Sequence, residues 1–176
     1  MGTVAIVDYG VGNLKSVANA LSYLGCSSCI TADPAELERA DAIILPGVGA
    51  FPDAADRLRS GGLDQHVLAQ GQKKPVLGIC LGMQLLLEQG REVRPCPGLG
   101  VIRGTVDRIP TQSKLPHIGW NSLRFFHHSP LFRGLDEGAY VYFVHSFSAQ
   151  DTDPAQVIAA TDYGPAVTAA VSSGNF

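Results

Sequence analysis

The residues best placed to do chemistry lie in Pro75-Val76-Leu77-Gly78-Ile79-Cys80-Leu81-Gly82-Met83-Gln84. A strand-like apolar run, Val76 to Ile79, meets a cysteine with glycine two positions away on either side, and a helical apolar pattern (Leu81, Leu85, Leu86) follows at once. This is the layout of a nucleophile elbow, G-x-C-x-G in place of the serine form. A sharp strand-to-helix turn holds its nucleophile in a strained backbone conformation, and small neighbours such as Gly78 and Gly82 avoid colliding with it. The turn also predicts a helix N-terminus at Cys80, where the dipole and free N–H groups favour the thiolate, the reactive form. A buried core cysteine is the bland alternative, because free cysteine is among the most buried residue types. It would not require glycine on both sides at this spacing, so Cys80 is the candidate nucleophile.

A second loop, Leu45-Pro46-Gly47-Val48-Gly49-Ala50-Phe51-Pro52, leaves another buried strand. Loops at the carboxyl ends of neighbouring strands in an open α/β sheet share one crevice. Backbone N–H groups of this glycine loop, aimed at Cys80, would stabilise the oxyanion that forms when the thiolate attacks an acyl carbon. Taken alone the loop is equally a plain glycine turn. Gln84 falls one helical turn beyond Cys80 on the same face, where it meets either a polar substrate or solvent.

These groups need a scaffold, and the first half of the chain supplies an alternation of short β-like runs with helical patterns. Val4 to Asp8 reads as the first strand. Asn13 to Leu24 reads as an amphipathic helix, with Leu14, Val17, Ala18, Leu21 and Leu24 on one stripe and Gly25 as its stop. Cys29 to Thr31 is a weak strand, and Asp33-Pro34 opens a short helix as N-cap and first helical residue. Ala42 to Leu45 is a buried strand. Helices are expected from about 52 to 58 and 63 to 70. After the elbow come strand-like runs from 101 to 110, 121 to 126, 140 to 147, 157 to 161 and 166 to 171, with no long helix between them. The expected fold is α/β: an open, mixed and mostly parallel sheet with helices on both faces and antiparallel strands in the second half, as one domain over 1–176.

The chain has 176 residues, 45% apolar and 16% charged, with a formal net charge of −3. That size and composition suit one soluble globular domain. No basic stripe suggests nucleic acid, no run is long enough for a membrane span, and the start shows no secretory signal, so a cytoplasmic location is expected. Of the four cysteines, Cys26 and Cys29 form a C-x-x-C pair, but no second pair of zinc spacing exists and the pair follows a helix instead of opening one. Cys96, flanked by prolines, reads as a loop cysteine. Neither metal nor cofactor is expected.

Several segments occur in order along the chain: Asp8-Tyr9-Gly10-Val11-Gly12-Asn13, the Pro46 to Phe51 loop, Gly78 to Gln84, Gly98-Leu99-Gly100-Val101-Ile102, Pro116-His117-Ile118-Gly119-Trp120-Asn121 and Tyr142-Phe143-Val144-His145-Ser146. Together they resemble class I, triad-type glutamine amidotransferases, and among these the amidotransferase subunits of imidazole glycerol phosphate synthases. The elbow is shared by the whole class, whereas D-Y-G-x-G-N and P-H-I-G-W-N are specific to those subunits. The resemblance implies that Cys80 forms a glutamyl thioester and releases ammonia. It implies an oxyanion hole from Val48 and Gly49 with the N–H of Leu81 as second donor. Gln84, Glu92, His145 and Ser146 fall where family members hold the glutamine backbone. Asn13, Lys15, Pro116, Ile118 and Trp120 match segments that face the partner, a (β/α)8-barrel cyclase. Ammonia passes to that barrel, whose products are imidazole glycerol phosphate and AICAR, in histidine biosynthesis.

The chain departs from the family pattern at one point. The class needs a histidine to move protons and a carboxylate to orient it. In the family both lie in a Q-F-H-P-E-type segment shortly after a strand ending in S-S-G-N-F, and this sequence stops at Ser172-Ser173-Gly174-Asn175-Phe176. His66, His127 and His128 read as solvated, and His117 and His145 match positions with other roles. The expectation is a shortened form of an ordinary subunit, the alternative a catalytically impaired or regulatory relative. Two other rivals remain. One is a dinucleotide-binding module, suggested weakly by Gly10-Val11-Gly12-Asn13 but with Lys15 where the third glycine belongs. The other is a cysteine hydrolase that acts without a partner.

Overall fold

The computed structural model describes residues 2–176. The first half builds a parallel sheet. Strands β1 (Thr3–Val7), β2 (Ser27–Thr31), β3 (Ala42–Leu45) and β4 (Val76–Gly78) lie in the order β2-β1-β3-β4, every pair parallel. Parallel neighbours require crossovers, and these are α1 (Leu14–Tyr23), α2 (Pro34–Arg39) and the pair α3 (Phe51–Ser60) and α4 (Leu63–Gly71). Side chains alternate along each strand, so Ala5, Val7, Ile43 and Leu45 share one face and pack with Leu37, Phe51, Leu58 and Val67 from α2, α3 and α4.

The predicted Asp33 cap holds, its side chain accepting from the N–H of Ala35 at 2.9 Å at the start of α2; Asn13 stands just before α1 as its cap, Oδ1 accepting from the N–H of Ser16 at 3.3 Å. Helix α1 rests against β1 and β2 but contains no buried residue, and Tyr23 and the stripe residue Leu24 at its end are 91% and 70% exposed.

The helical pattern after the elbow stops early. Helix α5 spans only Leu81–Gln84, and Leu87–Gly90 is strand β5. The buried run Leu85-Leu86-Leu87 fits either period, and pairing with later strands decides it. Strands β6 (Cys96–Pro97), β7 (Ile102–Arg108) and β11 (Phe147–Gln150) complete a mixed sheet in the order β11-β7-β5-β6. Cys96 is therefore a buried strand residue, 1% exposed, with Arg59 Nη1 3.7 Å from its sulfur, and not a loop residue.

A two-stranded antiparallel ribbon pairs β8 (His117–Ser122) with β10 (Tyr140–His145). Strands β9 (Arg124–Phe125), β12 (Val157–Asp162) and β13 (Ala166–Val171) form a third antiparallel group, in the order β13-β12-β9. At the chain's end the N–H of Val76, the first residue of the elbow strand, donates to the carbonyl of Asn175 at 2.9 Å.

Candidate active site

Strand β4 ends at Gly78 and α5 begins at Leu81, so Cys80 occupies the turn, with φ 55° and ψ −115°. A non-glycine residue with such a φ is strained, and surrounding contacts must hold it there. Those contacts are backbone to backbone. A Cβ at Gly78 would lie 2.7 Å from the carbonyl oxygen of Gly82, and a Cβ at Gly82 would sit on the carbonyl oxygen of Leu45. The N–H of Ile79 donates to that same Leu45 carbonyl at 3.0 Å, and the N–H of Gln84 donates to the carbonyl of Cys80 at 3.1 Å. Both glycines flanking the cysteine are thus required by close approach.

Cys80 is exposed on one side, yet the wall behind it desolvates the sulfur and raises its pKa above that of an ordinary thiol, opposed by the N–H of Leu81. The sequence-based expectation of a dipole-favoured thiolate is therefore not met: a four-residue helix has too few aligned peptides to outweigh desolvation. The thiol is positioned by the elbow, and its deprotonation calls for a base.

The glycine loop lies against the elbow. A side chain at Gly47 would come within 2.7 Å of the N of Gly82 and 2.9 Å of both the Leu81 Cβ and the Tyr9 hydroxyl. Val48 is 52% exposed, Gly49 has φ +93°, and Leu81 is buried. The far end of the loop is held by Glu92, whose carboxylate accepts from the N–H of Phe51 at 2.8 Å, at the first turn of α3. The loop's near end is held by the buried Tyr9, whose hydroxyl donates to the carbonyl of Pro46 at 2.7 Å. Burial pushes the Tyr9 pKa far up, helped by the nearby Cys80 sulfur. Tyr9 carries no chemistry in its motif, and only its pairing across the fold reveals this contact.

A cleft of about 250 Å³ opens beside the sulfur, lined among others by Cys80, Gln84, Tyr142, His145, Phe147 and Thr168. Cys80, Gln84 and His145 are brought together there. Gln84 is buried, and its Nε2 donates to the carbonyl of Phe147 at 3.1 Å. Ser146 lies in the bend between β10 and β11, where its carbonyl accepts from the N–H of Ile109 at 3.0 Å, and it does not line this cleft.

The two histidines on the ribbon are in contact: His117 Nδ1 lies 3.0 Å from His145 Nε2. Burial, chiefly, holds both pKa values below the usual histidine range, with the two rings opposing each other's charge at His117. His66, His127 and His128 are exposed.

The remaining predicted residues do not line this cleft. Asn13 caps α1 and Lys15 is exposed on its first turn. Pro116 is exposed, and Ile118 and Trp120 project from the ribbon at 58% and 69% exposure. Trp120 pairs with Tyr142 in register and meets it edge-on, with ring centroids 5.7 Å apart. Tyr140, Tyr142 and Val144 extend the same exposed apolar face. The alternation Tyr140-Tyr142-Val144 carried that signal in the sequence.

A sequence profile of the class-I glutamine amidotransferases matches residues 5–175. The chain belongs to this family. Among curated relatives, the imidazole glycerol phosphate synthase subunit HisH of Oceanobacillus iheyensis is 46% identical over 173 residues, covering 98% of this chain and 86% of that protein. HisH of Symbiobacterium thermophilum is 46% identical over 176 residues, covering 99% of this chain and 83% of the relative. Among solved structures, one described as a glutamine amidotransferase superposes with a TM-score of 0.71 at 20% identity, covering 90% of this chain and 80% of that one. PurLQS from Thermotoga maritima gives 0.66 at 18% identity, covering 99% of this chain and 79% of that one. At those identities the structures speak for the fold, and the HisH relatives place this amidotransferase within its family. No helix among the described residues is long and apolar enough to cross a membrane.

Proposed function

We propose that this amidotransferase hydrolyses glutamine through a Cys80 thioester and hands the ammonia to a (β/α)8-barrel cyclase, which makes imidazole glycerol phosphate and AICAR in histidine biosynthesis. The observation that carries the reading is the Cys80 elbow, strained at φ 55° and braced against the Leu45 to Gly49 loop. Identity to HisH subunits over nearly the whole chain supports the pathway and partner.

In this reading Cys80 Sγ, once deprotonated, attacks the side-chain amide carbon of glutamine. The oxyanion is met by N–H groups of the Val48–Gly49 loop and of Leu81. The C–N bond breaks as the nitrogen takes up a proton, and ammonia leaves. Water then attacks the thioester, giving glutamate and the free thiol. Gln84, which lines the cleft, meets the amino-acid end of the substrate, with Glu92 and the His145–Ser146 bend supporting the loop and the ribbon around it. The proton carrier and its carboxylate partner are the His and Glu of the Q-F-H-P-E-type segment that the family resemblance places after Phe176. The curated relatives are longer than the matched region, this chain spanning 86% and 83% of two of them.

The partner surface is the exposed face of the ribbon. Ile118, Trp120, Tyr140, Tyr142 and Val144 form a contiguous apolar strip, with Asn13, Lys15 and Pro116 as further contacts. Aromatic anchors in such a strip suit an interface centre. The test is glutamate release measured with and without the barrel cyclase and its ligand. Release that depends on the cyclase supports the reading, and equal release without it favours a stand-alone hydrolase.

A further inference from the structure

The hydrogen-bond chain behind the cleft has its proton positions fixed from both ends. At one end the side-chain amide of Asn121 is oriented by backbone: its Oδ1 accepts from the N–H of Ser122 at 2.9 Å, and its Nδ2 donates to the carbonyl of Asp162 at 2.9 Å. The second hydrogen on Nδ2 points at His117 Nε2, 3.3 Å away, so that ring nitrogen must be a bare acceptor. At the other end His145 Nδ1 lies 3.0 Å from the carbonyl oxygen of Phe147, so it must carry a hydrogen. Between them, His117 has its N–H at Nδ1 and donates it to the bare Nε2 of His145 at 3.0 Å. Each ring is therefore neutral and in the Nδ1–H form. A further proton on either ring would set two donors face to face.

This chain ends at substrate-facing chemistry. The Phe147 carbonyl that accepts from His145 also accepts from Gln84 Nε2 at 3.1 Å. Gln84 is buried and lines the Cys80 cleft. With Nε2 engaged by the protein, Oε1 is the group it offers to a molecule there. His117 is 3% exposed and clamped between the rings of Phe143 and Tyr163, with centroids 4.7 and 4.0 Å away, so it cannot turn. The other ionisable groups near the pair are Tyr163 and, across the cleft, Cys80, while the Asp162 carboxylate is exposed and faces Arg124 at 4.0 Å.

We propose that His117 and His145 are positioning residues that lock the Phe147 carbonyl and so hold Gln84 with its oxygen toward the cleft, as an acceptor for an N–H donor on the amino-acid substrate. The proposal rests on the glutaminase reading for the identity of that substrate. It assigns His117 a role although it does not line the cleft. It also means that His145, with both ring nitrogens spent, is not the base for Cys80.

Two measurements test it. Nitrogen NMR of the labelled imidazoles near neutral pH should show both rings neutral, with the proton on Nδ1 and Nε2 bare. A proton on Nε2 of either ring, or a cation, overturns the relay. Second, His117→Phe keeps the ring stack and deletes both nitrogens. Alkylation of Cys80 by a glutamine-like chloroketone should slow roughly tenfold, the scale of one lost buried hydrogen bond, while iodoacetamide reacts unchanged. An unchanged chloroketone rate, or equal slowing with both reagents, overturns the positioning role. If wild-type Cys80 shows no preference for the glutamine-like reagent, the functional reading fails instead. In that case, or if the variant does not fold, the NMR result alone decides the relay.

Discussion

The hydroxyl of Tyr9 donates a 2.7 Å hydrogen bond to the carbonyl of Pro46, joining the end of β1 to the residue that precedes the Gly47-Val48-Gly49 loop. Position 47 has no room for a side chain beside Tyr9 and the elbow, so the loop is set by contacts on both of its sides. Tyr9→Phe removes the donor and leaves a buried carbonyl unpaired, at a cost of about 1–3 kcal/mol. The expected result is a lower melting temperature and, with the cyclase present, a fall in kcat at little changed KM, because oxyanion donors act in the transition state. A change confined to KM would show that the loop is positioned without Tyr9.

Gly82→Ala should be far worse than an ordinary surface change. The new methyl would meet the Leu45 carbonyl, and backbone has no rotamer with which to move away. Overpacking of this kind costs about 1–3 kcal/mol or more. Chemical denaturation should show that loss, and soluble variant should have lost Cys80 reactivity toward glutamine analogues. Unaltered stability would mean that the elbow and β3 are less tightly apposed than described.

Trp120→Ala and Tyr142→Ala should leave the melting temperature of the isolated chain within experimental error, since both side chains are more than half exposed, at 69% and 55%. Binding to the cyclase should weaken by about 2 kcal/mol or more for at least one of them. Calorimetric titration against the barrel checks it. Unfolding of the isolated chain by either change would make the pair a structural element and not a contact surface.

The Cys80 thiol, its pKa raised by desolvation, carries less thiolate near neutral pH than an ordinary thiol. Its reaction with iodoacetamide should be slow there and should keep accelerating as pH rises through and beyond about 8.5, the usual thiol value. A glutamine-like chloroketone should still prefer Cys80 to Cys26, Cys29 and Cys96, because the cleft supplies orientation. Mass-spectrometric mapping of both reagents over pH separates the two effects. An inflection below the ordinary range would restore the dipole-favoured thiolate.

The parallel half was legible because its signals are local: the cap at Asp33, glycine at close approaches, and short apolar strands spaced by helices. The strand Ala42–Leu45 and the final strand Ala166–Val171 coincide with their predicted bounds. The Leu81 to Leu87 run was not legible as helix then strand, because its period is ambiguous and β7 decides it from a distance. The same holds in the site. Cys80 and its glycines announce themselves by spacing, whereas the partners Tyr9–Pro46, Glu92–Phe51 and His117–His145 are separated by 37, 41 and 28 positions and exist only once the chain is folded.

Among the described residues no histidine offers a free ring nitrogen to Cys80: those of His117 and His145 are engaged with each other, Asn121 and Phe147. His66 is exposed on α4, and His127 and His128 line a separate cavity with Phe125 and Phe132. A raised thiol pKa makes a positioned proton acceptor the more necessary. The 176-residue chain, assayed with the cyclase and its ligand, should therefore release glutamate roughly two to four orders of magnitude more slowly than a chain extended by the Q-F-H-P-E-type segment, the usual contribution of a positioned acid–base group. The shortfall should appear in kcat, since Gln84 remains to bind substrate. Comparable turnover by both chains would require His145 to release its Nε2 from His117 and act as base. The imidazole NMR signature of the relay would then be lost during turnover.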